Sequence, residues 1–156
     1  MLTVTRRIEF DAAHRLPGHS GWCRRVHGHR YVLDVVLAAD GLGPDGMILD
    51  FGTVKRAFGV WVDAHLDHRL ILAGDGEGVA ESEQPLAQVA RDVGGPDAVT
   101  ACPTGSPTVE NMAGWLGRAL GERIGADFPR VRLVGLRLFE TPGCWADWSA
   151  DGLDHR

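Results

Sequence analysis

One thiol and two imidazoles fall within the short run Cys23-Arg24-Arg25-Val26-His27-Gly28-His29, and a further imidazole, His14, precedes it. Thiolates and imidazoles are the preferred ligands of zinc, and the spacing leaves two chemistries open. With Cys23 as a fourth ligand the metal is closed and structural. With Cys23 held off the metal, three histidines leave one position for water or substrate, which is the arrangement of a catalytic zinc. In a strand, residues i and i+2 face the same way, so His27 and His29 present both rings to one point while Gly28 lets the backbone pass close by. A single His-x-His is weak evidence by itself, because two histidines on a solvated strand face have the same pattern. Two further groups add to it: Asp67-His68, a carboxylate beside an imidazole at the end of an apolar helical pattern, and Glu140-Thr141 at the end of an apolar strand.

These residues need elements to position them. From Val4 to His14 apolar and polar residues alternate, which predicts a strand that ends at His14. Residues 15–26 carry Pro17, Gly18, Ser20 and Gly21 and read as a loop, and HRYVLDVVLAA (29–39) reads as a second strand, antiparallel to the first. Asp50 is a plausible N-cap for a helix whose apolar face holds Phe51, Val54, Phe58, Trp61, Val62 and His65 or Leu66. A second helix is expected from Thr108 to about Gly125, a strand over 131–140, and a short partner strand over 144–148. Between the helices, residues 69–107 form a long segment punctuated by glycine and proline, with a short helix around Leu86–Val93. Loops of that length in compact domains are usually functional or mobile. The order β-β-α-α-β-β predicts an α+β domain with an antiparallel sheet.

A chain of 156 residues is the length of one domain. At 44% hydrophobic and 24% charged residues it is globular in composition, and no apolar run approaches the ~20 residues of a membrane helix. The amino terminus lacks the apolar core of about 7–15 residues that marks a signal peptide, so the cytoplasm is expected and a membrane is not. A net charge of −5 argues against nucleic acid as the main partner. Three cysteines, at 23, 102 and 144, cannot all pair, which fits a reducing compartment.

The runs FDAAHRL (10–16), Cys23-x3-HGH (23–29), GMILDF (46–51) followed by Lys55, LDH (66–68), PTVEN (107–111) and ET (140–141), in that order along nearly the whole chain, resemble the 6-pyruvoyl-tetrahydropterin synthase superfamily. Six motifs together are far more specific than any one. The three residues between Cys23 and His27 resemble its bacterial 6-carboxy-5,6,7,8-tetrahydropterin synthase branch of 7-deazaguanine (queuosine) biosynthesis, and Arg24 stands where a folate-pathway branch has glutamate. The resemblance implies a tunnelling fold (T-fold), a four-stranded antiparallel sheet with two helices on one face. It implies protomers that join into trimers and a homohexamer. It also implies Zn²⁺ on His14, His27 and His29, a catalytic thiol at Cys23 beside the metal, an Asp67–His68 proton relay, and a pterin-anchoring Glu140, with Thr108 and Glu110 of PTVEN also touching substrate.

The activity implied is conversion of 7,8-dihydroneopterin triphosphate to 6-carboxy-5,6,7,8-tetrahydropterin, with release of triphosphate and acetaldehyde. Alternatives are the pyruvoyl product or a paralogue of another pterin pathway, and, of a different class, a non-catalytic pterin- or metal-binding oligomer. Zinc would stabilise negative charge on substrate oxygens, Cys23 and His68 would move protons, and an ionised Glu140 would accept from the paired N–H donors of the pterin edge. For the triphosphate, Arg24, Arg25, Arg30 and Lys55 are candidates by charge alone. Two departures from the pattern bear on the substrate side chain: the insert at 69–107, and Trp148 where tyrosine is common.

Overall fold

The computed structural model describes residues 1–152. Strand β1 (Thr3–His14) pairs antiparallel with β2 (His27–Ala39) along its whole length, in a register that sets Phe10 opposite Tyr31 and His14 opposite His27. Strand β5 (Val131–Thr141) adds to β2, and β6 (Cys144–Ser149) adds to β5, both antiparallel. This is the meander the alternation predicts, with β2 starting two residues earlier than expected.

The sheet is larger than four strands. The segment 69–107 supplies two more, β3 (Arg69–Ala73) and β4 (Val99–Cys102), giving six in the order β4-β3-β1-β2-β5-β6. Both new pairings, β3 with β1 and β4 with β3, are parallel, so the sheet is mixed. The reason is local: RLILA and VTAC are short apolar runs without a hairpin turn between them, and an eleven-residue helix, α3 (Gln84–Gly94), makes the crossover that a parallel pair requires. The expected short helix around Leu86–Val93 is this α3. Leu72, Val79 and Ala87 form a small core of their own. The insert is tied to the end of β1 by Glu83, a carboxylate only 1% exposed, whose Oε2 lies 3.3 Å from Nε of Arg15.

One face of the sheet is covered by helices. Asp50 caps the first, its Oδ1 accepting from the Thr53 N–H at 2.9 Å. The helix runs as α1 (Phe51–Val54), a π-helical turn over Lys55–Gly59, and α2 (Val60–His65). Its fully buried residues, Val54, Phe58, Val62 and Leu66, recur at strict four-residue steps. In an unbroken α-helix of 3.6 residues per turn such a row winds away from the sheet, and the wider i→i+5 turn turns it back. The long helix α4 (Val109–Asp127) buries Met112, Leu116, Leu120 and Ile124 on the same core as Phe10, Tyr31 and Leu33. A Cβ on Gly117 would fall 2.2 Å from the Trp148 ring, so glycine is what lets α4 settle on β6.

The other face carries charge, including the ion pairs Arg7–Asp34 and Arg137–Asp147 across neighbouring strands. No helix among the described residues is long and apolar enough to cross a membrane.

Candidate metal centre

His14 closes β1 on the helix-covered face, two residues beyond buried Ala12. His27 and His29 open β2 on that same face, preceding buried Tyr31 by even steps. Because the register sets His14 opposite His27, period-two alternation brings three rings together. One nitrogen from each lies within 4.8 Å of the others.

The tautomers follow from the partners. His14 Nδ1 is 2.9 Å from the Pro107 carbonyl and His27 Nδ1 is 2.8 Å from the Arg25 carbonyl. A carbonyl oxygen only accepts, so both Nδ1 atoms carry the proton and both Nε2 atoms present lone pairs. Yet these two Nε2 atoms stand 3.1 Å apart. The His29 Nε2 is buried with no hydrogen-bond partner. Glu140 Oε1 lies 3.4 Å from His14 Nε2 and 3.9 Å from His29 Nε2. Two imidazole lone pairs, an unpartnered ring nitrogen and a carboxylate therefore converge, which suits a cation. Zinc with bonds of about 2.0–2.1 Å to tetrahedral ligands holds its nitrogens roughly 3.3 Å apart, close to the 3.1 Å between the His14 and His27 Nε2 atoms.

Burial pushes the His14 and His29 imidazoles below their ordinary pKa, against the opposing charge of Glu140, so both are neutral at neutral pH, the form that binds a metal. Buried Tyr31 has its hydroxyl 3.2 Å from His14 Nδ1 and is held protonated by the same desolvation. The Pro107 and Arg25 carbonyls and Tyr31 were not singled out from the sequence. Only Tyr31, one more even step along the strand from His29, left a signal there.

Glu140 reaches this face through a bulge. Val131 and Leu133 point into the core, but Val36 pairs with Gly135 and Leu37 with Leu133, so the phase slips and Leu136, Leu138 and Glu140 follow on the inner side. The carboxylate is thus beside the histidine nitrogens.

Cys23 lies in a single 3₁₀ turn, Trp22–Arg24, partly exposed, and does not join the histidine cluster. Thr108 and Glu110 sit in the turn that begins α4. The Thr108 hydroxyl accepts from the Asn111 N–H at 3.3 Å as its N-cap, Glu110 is exposed, and Pro107 just before them holds His14.

Asp67 and His68 are also apart from the three histidines. Asp67 Oδ2 is 2.7 Å from His68 Nδ1, and its Oδ1 accepts from the Asp11 N–H at 2.9 Å. The His68 N–H donates to the Asp11 carbonyl at 2.6 Å. His68 has φ +58°, the sole positive value for a non-glycine among the described residues, a conformation that costs about 1–3 kcal/mol and is kept where surroundings over-determine it. Desolvation works to raise the Asp67 pKa, but the Asp11 N–H, His68 and Arg30 outweigh it and hold the carboxyl below its ordinary range. His68 borders a cleft of about 680 Å³ together with Asp11, Gly28, His29 and Arg30. Asp67 and His68 thus lie beside Asp11 and Arg30, apart from the point where the three histidine nitrogens converge.

Over residues 3–151 the chain matches the family described as 6-pyruvoyl tetrahydropterin synthase. It is 36% identical over 148 residues to the 6-carboxy-5,6,7,8-tetrahydropterin synthase of Rickettsia bellii, covering 94% of this chain and 99% of that one. A protein of Halobacterium salinarum named probable 6-carboxy-5,6,7,8-tetrahydropterin synthase is 33% identical over 141 residues, covering 90% and 82%. Among solved structures, an uncharacterized protein of Wolinella succinogenes superimposes with a TM-score of 0.73 at 22% identity, covering 96% and 98% of the two chains. The Caenorhabditis elegans 6-pyruvoyl tetrahydropterin synthase does so at 0.60 and 25%, covering 95% and 94%.

Proposed function

This chain belongs to the 6-pyruvoyl tetrahydropterin synthase family and has its α+β T-fold, and on that premise we propose that it is a zinc-dependent enzyme converting 7,8-dihydroneopterin triphosphate to 6-carboxy-5,6,7,8-tetrahydropterin, with release of triphosphate and acetaldehyde, as a cytoplasmic step in 7-deazaguanine biosynthesis. The observation that carries the reading is the convergence of three imidazole nitrogens, one of them orphaned, beside Glu140, in a chain whose relatives bear that enzyme's name along their length.

His14, His27 and His29 would hold the zinc, with Pro107 and Arg25 fixing two of the rings. Bound there, zinc would supply a Lewis acid that stabilises negative charge developing on substrate oxygens. Glu140 accepts hydrogen bonds from the pterin ring's N–H donors and so fixes the reacting side chain over the metal. Cys23 takes a proton from carbon at one face. His68, its tautomer set by Asp67 at Nδ1, moves protons through Nε2 at the other. Thr108 and Glu110 belong to the substrate side as neighbours of Pro107.

Because His68 stands apart from the converging histidine nitrogens, we assign it to the histidine cluster of another copy. Two sheet edges support assembly. Among the described residues β6 is paired only to β5, and β1 from Thr3 to Ile8 only to β2, so each offers unpaired backbone to a neighbour. Head-to-tail joining of unlike edges closes into a ring, here proposed as a trimer, two of which stack as a hexamer.

Incubating the zinc-loaded protein with dihydroneopterin triphosphate and identifying products by mass spectrometry tests the reading. Carboxytetrahydropterin with acetaldehyde is expected. The pyruvoyl product would move the chain to the neighbouring activity, and bound pterin without turnover would make it a binding protein.

A further inference from the structure

The insert is not only a decoration on the sheet. Its helix α3 ends beside His68: the cleft that Asp11, His29, Arg30, His68 and Arg69 line is also lined by Ala90 and Val93 of α3. Val93 is 86% exposed, an apolar side chain that the chain itself leaves uncovered. Neighbouring Val89 is also exposed but does not border the cleft. The wall is rigidly mounted, because α3 spans the parallel pair β3–β4, packs through Ala87 on Leu72 and Val79, and follows directly on Glu83, which is held to Arg15.

We propose that Ala90 and Val93 form the specificity wall of the His68 cleft, lying against the three-carbon side chain of the dihydropterin while the ring is held at Glu140 of the neighbouring copy. This rests on the substrate reading above and adds to it what the insert does. A carbon chain undergoing proton transfer gains from an apolar neighbour that sheds water, since water would compete for the proton His68 delivers. The rest of the lining is polar, with Arg69 donating to the Asp97 carbonyl and Arg30 paired with Glu9 and Asp11.

The test uses zinc-loaded oligomer and two non-reacting oxidised pterins: neopterin, which has the three-carbon side chain, and 6-methylpterin, which lacks it. Ala90→Phe fills the cleft, and Val93→Tyr does so from an exposed position where bulk does not disturb the fold. Both should weaken neopterin binding at least about tenfold, as overpacking does, and leave 6-methylpterin unchanged. Val89→Ala should leave both unchanged. If the wild type binds both pterins and both filling variants keep neopterin affinity within about twofold, or lose the two ligands equally, the wall is overturned alone. If the wild type binds neither pterin, the substrate reading fails and the wall falls with it.

Discussion

The Leu16 N–H donates to the Cys23 carbonyl at 2.8 Å, so the loop that carries the thiol is closed by its backbone. Nothing in that closure needs the sulfur. Cys23→Ala should therefore keep the fold and its zinc while losing turnover by two orders of magnitude or more, about the contribution of a positioned base. Metal analysis beside a rate measurement decides it, and loss of zinc with the thiol would make Cys23 a ligand.

His29 Nε2 is buried with no hydrogen-bond partner, and removing the ring should remove the metal. His29→Ala is expected to drop zinc from about one per subunit to near none and to abolish activity, since two imidazoles rarely hold catalytic zinc alone. Full zinc in the variant would place the metal elsewhere.

His68 lies beside Asp11 and Arg30, apart from the point where the three histidine nitrogens converge. Cys23→Ala and His68→Ala should each be inactive alone, yet chains of both kinds folded together should recover about a quarter of wild-type activity, the random share of sites that draw an intact residue from each copy. No recovery would mean that both act within one chain.

Glu140→Gln replaces one acceptor by an NH₂ donor at constant bulk. Losing a charge-assisted bond of roughly 1.5–3 kcal/mol should weaken a non-reacting pterin about ten- to a hundredfold. Zinc content should stay constant, because the three histidines hold it. A calorimetric titration of the zinc-loaded variant reads both, and unchanged affinity would leave Glu140 without a role in holding the ring.

Asp67 has its pKa lowered in the folded chain, so its ionised form is favoured by folding. That stabilisation is complete above the ordinary aspartate value of about 3.9 and is lost as pH falls through the lower folded value. Asp67→Asn should accordingly have a lower urea midpoint than wild type at neutral pH, with the gap closing in acid below about pH 4. In the same variant an amide faces His68 Nδ1, which reverses the ring's tautomer, so the pH–rate profile should shift as well. A stability gap that persists unchanged into acid would show that the Asp67 charge contributes nothing.

Much of the site was legible because strands write their faces into alternation. His14, His27 and His29 follow the same period-two rule as Phe10 and Tyr31, and caps at Asp50 and Thr108 are local chemistry, decided within four residues. The resemblance carried by six ordered motifs is of the same kind, readable without coordinates. Within 69–107 the helix was legible but the strands were not, since RLILA and VTAC are too short to announce a parallel pairing that depends on β1 lying open beside them.

The amino-acid sequence by itself determined which residues could ligate a metal, which strands would carry them, and the family to which the chain belongs. Only the tertiary structure decided how they meet. Strict alternation from Val131 would turn Glu140 to the charged face, and a bulge opposite Val36–Leu37 turns it to the histidines instead. His68 is adjacent in sequence to the helix that covers the core, yet its left-handed backbone, its N–H bond to the Asp11 carbonyl and its ring's bond to Asp67 hold it apart from the other three histidines. Register slips and strained dihedrals are settled by distant partners competing for the same backbone groups, and that competition exists only once the chain has folded.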